Sequence, residues 1–206
     1  MSGSQSCRGR ETLFKVCGIT NVDDAVMAAG AGADMVGVIM DKKVVRHGDR
    51  RTVEEIASMG IPVVTVHTSM PASVGSERYV QLHFPHGARE VEEARSMGVG
   101  VISVVNSGTL GDMLSRYSEC REAGSEIVLV EDRSGIARRT DILEAFSGLP
   151  GVGFAGNVSS ADLETLMRFR PRLIDLSRSL EAEPGKKDAR KVEEFFREVR
   201  RLAPLH

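Results

Sequence analysis

The sequence predicts an α/β fold, an eight-stranded parallel (βα)8 (TIM) barrel, and three observations predict it. Eight short apolar, β-branched runs recur along the chain. Segments with helical spacing and helix-capping residues lie between most of them. The turn after the first run, "CGITNVDD", lacks the GxGxxG spacing that an open dinucleotide-binding sheet would carry there.

The elements follow in order. "LFKVC" (13–17) is the first strand, and "NVDDAVMAAGAG" is the first helix. Asn21 serves as N-cap, Asp23 and Asp24 complement the helix dipole, and Gly30 or Gly32 ends the helix. "MVGVIM" (35–40) is the second strand, and "RTVEEIASMG" is a helix starting at Thr52. "PVVTVH" (62–67) is the third, but "TSMPASVGSER" after it carries Pro71 and Gly75, so the third helix is expected to be short or missing. "YVQLH" (79–83), "GVISVV" (100–105) and "EIVLVE" (126–131) alternate with "GAREVEEARSMG", "TLGDMLSRYSECREAG" and "TDILEAFSG". "GVGFAG" (151–156) and "LIDLS" (173–177) complete the strands, each followed by a helical segment. The Phe195–Phe196–Val199–Leu202 stripe of the last helix predicts core packing. Residues 1–12 read as a flexible lead-in and 13–206 as one barrel domain.

The totals exclude several functions. With 27 Lys+Arg against 29 Asp+Glu the net charge is -2, which gives no electrostatic case for nucleic acid or an anionic membrane. No apolar run approaches the roughly 20 residues of a spanning helix, and the start of the chain has no apolar signal region. Cys7, Cys17 and Cys120 are odd in number and widely spaced, which fits neither a disulfide framework nor a zinc site. A cytoplasmic location is expected.

In such barrels the chemistry sits at the carboxyl ends of the strands. That rule selects Cys17, the Asp41–Arg46 loop, His67, Gln81, His83, Asn106, Glu131, Asp132, Gly156, Asn157 and Ser177 to Ser179. A thiol of lowered pKa can accept a proton, and a carboxylic acid kept protonated can donate one. Cys17 can equally be a small apolar residue ending a strand. The turns "FAGNVSSAD" and "LSRSLEAEPGKKD" suit a phosphate held by backbone N–H groups, with Ser177, Ser179 and Arg178 adding hydroxyls and charge. His67, His83 and His86 lack a carboxylate at ligand spacing, so a solvated or substrate-facing role is expected rather than zinc binding. The pairs Arg50–Arg51 and Arg138–Arg139 read as solvated faces.

These motifs together resemble those of the phosphoribosylanthranilate isomerase family of tryptophan biosynthesis. "KVCGITNVDDAVMAAGAGADMVGVIM" resembles the family's opening, "VQLH" its fourth strand, and "IDLSRSLEAEPGKKD" its ending. The resemblance runs from about Phe14 to Val199. It implies a cofactor-free barrel and an Amadori rearrangement of N-(5-phosphoribosyl)anthranilate. It implies Cys17 as general base and the carboxylate after strand six as general acid, here Asp132, with Glu131 competing because the register is open by one residue. It implies Arg46 for the substrate's carboxylate, and places His83, Gly135, Gly156, Asn157, Ser177 and Arg178 around the substrate and its phosphate. The implied partner is a phosphorylated small molecule, bound by a monomer or homodimer. This chain departs from the family pattern at four places. The paired glycines after strand seven are Gly156–Asn157, the SSG turn is Ser177–Arg178–Ser179, Ala137 replaces a glycine after strand six, and strand three reads "VTVH". Those changes leave a related phosphorylated sugar as the alternative substrate.

Overall fold

The computed structural model describes residues 12–202. The predicted lead-in therefore lies outside the described residues except for Thr12, and Cys7 lies outside them too. The eight runs form β1 (Leu13–Cys17), β2 (Met35–Ile39), β3 (Val63–His67), β4 (Tyr79–Leu82), β5 (Gly100–Asn106), β6 (Ile127–Glu131), β7 (Val152–Ala155) and β8 (Leu173–Leu176). They pair in parallel in chain order, and β8 pairs back to β1, so the sheet closes and no barrel strand is left as an edge.

Seven helices wrap the described part of the barrel: α1 (Val22–Ala31), α2 (Arg50–Ser58), α3 (Ala88–Ser96), α4 (Leu110–Glu122), α5 (Thr140–Phe146), α6 (Leu163–Met167) and α7 (Ala189–Leu202). No helix joins β3 to β4, as Pro71 and Gly75 predict. The loop there is pinned from beneath by Glu77, whose buried carboxylate accepts from Gly75 N, Thr65 Oγ1 and Arg50. Arg50 is thus a structural ion-pair partner rather than a purely solvated charge, whereas Arg51 is exposed as expected. Helix α2 starts at Arg50, two residues before the predicted Thr52. Asp49 is its N-cap, because its carboxylate can accept from both Thr52 N and Thr52 Oγ1. The sequence reading also omits a short hairpin, β9 (Glu181–Glu183) with β10 (Lys186–Lys187), which is tied to the segment after β1 where Thr20 Oγ1 donates to the Gly185 carbonyl.

Asn21 caps α1 as its position predicts, accepting from Asp24 N at 2.8 Å. Asn21→Ala is expected to cost about 1 kcal/mol of stability. Urea unfolding measures it as a lower midpoint at constant slope, and an unchanged midpoint would show that the cap contributes nothing.

Two cores result. Outward-facing strand residues pack under the helices, where Phe14 meets Phe195 and Phe196 edge to face at 6.1 and 6.0 Å. Val199 is buried with them, as the stripe on α7 predicts. Inward-facing residues, among them Met35, Val64, Val66, Ile102, Val104, Ile127, Leu129 and Leu173, fill the barrel. Their apolar layers stop near the carboxyl ends of the strands, where Cys17, Glu131 and Asp175 take over.

Candidate active site

A cleft of about 360 Å³ opens at the carboxyl ends of the strands. Its wall includes Cys17, Arg46, Gln81, His83, Glu131, Arg133, Asp175, Ser177 and Arg178. Five of the nine predicted site residues and contacts, Cys17, Arg46, His83, Ser177 and Arg178, therefore meet at one mouth. Three guanidinium groups face it against two carboxylates, so the cleft suits an anion.

The pleat decides which carboxylate reaches that mouth. Successive strand residues point to opposite faces. On β6, Ile127 and Leu129 belong to the barrel interior, while Val128 and Val130 pack in the outer core. Glu131 continues the inward row, and Asp132 continues the outward one. Asp132 accepts from Ser134 N at 2.9 Å, from Ser134 Oγ and from Arg139 at 2.7 Å. Ser134 and Arg139 hold its carboxyl below the usual carboxylate range. The side chain of Asp132, the expected strand-six acid, is committed to the turn after β6, while that of its competitor Glu131 lines the cleft. Arg139, expected as a solvated charge, is half-buried in that same turn and also pairs with Asp141 at 2.8 Å. Glu131 lies 3.3 Å from His83 Nε2 and 3.5 Å from Arg133 Nε. Burial pushes its carboxyl up, but His83 and Arg133 outweigh that and hold it below the ordinary value.

Cys17 ends β1 at the floor of the cleft and is buried. Burial pushes its thiol above the ordinary value, and Lys15 is the strongest influence pulling it back. Arg46 crosses from the β2–α2 loop and donates to Glu181 at 3.2 Å. Glu181 also accepts from buried Lys187 at 3.1 Å across the β9–β10 hairpin, and Lys187 donates to the Ser177 carbonyl at 3.3 Å.

The glycine- and serine-rich turns form an adjoining recess lined by Gly156, Asn157, Ser177, Arg178 and Ser179. Gly156 has φ +111°, and a Cβ there would strike the Asp132 carbonyl oxygen. Glycine is required here by the neighbouring turn. Asn157 has φ +50°, a left-handed conformation that asparagine tolerates best after glycine. It therefore keeps the backbone path of a paired glycine. Gly135, at φ +128°, lines a second recess with Asn157 and Ser179.

Two buried polar atoms around these spaces have no hydrogen-bond partner: Gln81 Oε1 and Ser179 Oγ. Buried polar atoms are ordinarily paired. Their position on cleft and recess walls marks them as contacts for a ligand. His67 and His86 are not part of this set. They are buried outside the barrel, not solvated, and burial lowers the pKa of both imidazoles. His86 sits between the Phe84 carbonyl and Cys120. Sequence reasoning passed over Lys15, Asp175, Glu181 and Lys187. A lysine two places before Cys17 in an apolar strand was a readable signal, because that spacing puts both on one face.

Known proteins share this chain's sequence pattern and fold. The model of the N-(5'phosphoribosyl)anthranilate (PRA) isomerase family matches residues 14–198. An N-(5'-phosphoribosyl)anthranilate isomerase of Thermoplasma volcanium is 40% identical over 190 residues, covering 91% of this chain and 95% of the relative. Among solved structures, phosphoribosyl anthranilate isomerase of Thermotoga maritima superposes with a TM-score of 0.78 at 21% identity, covering 93% of this chain and 100% of its own. Another phosphoribosyl anthranilate isomerase structure, in complex with reduced 1-(o-carboxyphenylamino)-1-deoxyribulose 5-phosphate, superposes at 0.76 with 24% identity and covers 93% of this chain and 100% of its own. The family match spans nearly the whole barrel, and the chain belongs to the N-(5'-phosphoribosyl)anthranilate isomerase family.

Proposed function

We propose that this protein isomerises N-(5'-phosphoribosyl)anthranilate to 1-(2-carboxyphenylamino)-1-deoxyribulose 5-phosphate, with Glu131 as general acid and Cys17 as general base. One observation carries the reading: the thiol and the carboxyl end two inward-facing rows and open on the same cationic cleft. Glu131 protonates the furanose ring oxygen, and the ring C–O bond breaks to leave an iminium. The Cys17 thiolate removes the proton from C2, giving an enolamine that tautomerises to the ketone. Atoms are conserved, and one acid with one base suffices. The recess of Gly156, Asn157, Ser177, Arg178 and Ser179 takes the phosphate, and Arg46 takes the anthranilate carboxylate. Phosphate binding there supplies binding energy remote from the reacting carbons. The two cysteines among the described residues are free and buried, in keeping with a cytoplasmic enzyme.

The purified protein is expected to convert N-(5'-phosphoribosyl)anthranilate, and to restore growth without tryptophan to a strain lacking the isomerase. Fresh, folded protein with no turnover would overturn the reading.

The site's electrostatics set the pH profile. Glu131 is held below its ordinary value and Cys17 above its own. Between the two values the free enzyme carries one proton, mostly on the thiol, and the active tautomer with that proton on Glu131 is a constant minor fraction. We therefore expect kcat/KM to be flat across neutral pH. It falls at acid pH as both groups become protonated and the base is lost, and at alkaline pH above about 8.5 as both ionise and the acid is lost. An alkaline limb well below that value would contradict the assignment.

A further inference from the structure

Lys15 lies in the middle of β1, two residues before Cys17, so the pleat sends both side chains into the barrel. It is fully buried, and its ammonium donates to both carboxylate oxygens of Asp175 at 3.0 Å. Room for this arrangement comes from Gly37, which stands beside Cys17 in the sheet. A Cβ at Gly37 would lie 2.9 Å from Cys17 Sγ, 2.9 Å from Lys15 Cε and 3.0 Å from Lys15 Nζ. The missing side chain thus lets ammonium and sulfur share one space beside β2. Elsewhere the same interior is filled with valine, isoleucine and leucine, and the barrel has no packing need for a charge here. Cys17 and Asp175 wall the cleft, with Lys15 beneath them.

We propose that Lys15 is a positioning residue for the base: its ammonium, anchored by Asp175, orients the Cys17 sulfur toward the cleft and stabilises its thiolate. The inference rests on the reading of Cys17 as the general base. The charges facing that sulfur come from three elements: Lys15 on β1, Asp175 on β8 and Lys187 on β10. Burial is the largest influence on the thiol and pushes it up, Lys15 opposes it most strongly, Asp175 adds to it, and Lys187 helps Lys15. Burial alone would lower the Lys15 pKa, but Asp175 and Cys17 outweigh it and keep the ammonium charged. Lys187 is the lesser helper, since burial lowers its pKa and Glu181 holds its ammonium.

The signs of the two anchoring charges make the test. The rate of iodoacetamide alkylation at Cys17 is followed by peptide mass spectrometry against pH, on the full chain, for wild type, Lys15→Met and Asp175→Asn. For Lys15→Met the thiol midpoint is expected to rise by one pH unit or more. Alkylation at neutral pH and the kcat/KM plateau then both fall about tenfold or more, with the alkaline limb displaced upward in step. For Asp175→Asn the midpoint is expected to fall, because the thiolate becomes the nearest anion to Lys15. A purely structural role would move no midpoint, or move both the same way, and either result overturns the proposal. If Lys15→Met does not fold by circular dichroism, Asp175→Asn decides alone, and an unchanged or raised midpoint overturns it. Alkylation needs no turnover. A wild-type protein that fails to isomerise but shows the opposed shifts would sink the isomerase reading and leave the Lys15–Cys17 coupling standing.

Discussion

Glu131→Gln is expected to lower kcat/KM by about 10²–10⁴-fold, the range that a positioned general acid contributes. Asp132→Asn is expected to lower the melting temperature instead and leave most of the rate. The argument is geometric. A donor must come within hydrogen-bond reach of the ring oxygen, and only the inward row of β6 opens on the cleft. Glu131 lines the cleft, where Asp132 has both oxygens occupied by Ser134 and Arg139. Removing the charge at 132 loosens that turn and, through Gly156, disturbs the phosphate recess, so a modest rise in KM accompanies it. Steady-state kinetics with thermal melts on both variants separate the two. A folded Asp132→Asn protein without activity, beside an active Glu131→Gln protein, would reverse the assignment. His83 and Arg133 hold Glu131 ionised in most of the free enzyme, so the form with the shared proton on Glu131 rather than on Cys17 is the minor tautomer.

That one-residue choice shows where sequence reading stopped. The eight strands were legible because each is a short apolar run bounded by turn residues, and the missing helix after β3 was legible from Pro71 and Gly75. The phase of the pleat on β6 was not. "IVLV" is apolar on both faces, because the strand is covered by helices outside and by the barrel core inside. Nothing in such a run says whether position 131 or 132 faces in. The same double burial hides the role of Gly37, whose empty side-chain position matters only once β2 lies beside β1. Asn157 and Arg178 look in the sequence like obstacles to phosphate. In the fold, Asn157 adopts the left-handed turn a glycine would, and Arg178 adds a cation to the cleft wall. Glu181 and Lys187 are invisible as a pair, because the turn that brings them together belongs to a hairpin of a few residues with no periodicity to read.

Cys17→Ala is expected to cost about 10²–10⁴-fold in kcat/KM while leaving the fold intact. The substitution deletes one sulfur at the floor of an open cleft, so no sealed apolar cavity results. In the proposed site Arg46 and the turns after β7 and β8 grip the substrate, so KM is expected to move little and kcat to carry the loss. The sharper signature lies in pH. In the wild type a single proton is shared between thiol and carboxyl, which keeps the active fraction constant across neutral pH. With the thiol gone, the residual rate follows protonated Glu131 alone. That fraction declines about tenfold per pH unit above the carboxyl's pKa, so the flat region is replaced by a continuous fall from acid pH upward. Cys120→Ala is the matched control. Cys120 is equally buried but lies in the outer layer against His86, remote from the cleft wall. It is expected to keep both the plateau and kcat. A Cys17→Ala protein that retained the wild-type plateau would remove the thiol from the reaction and return Cys17 to the barrel core, whatever substrate the cleft accepts.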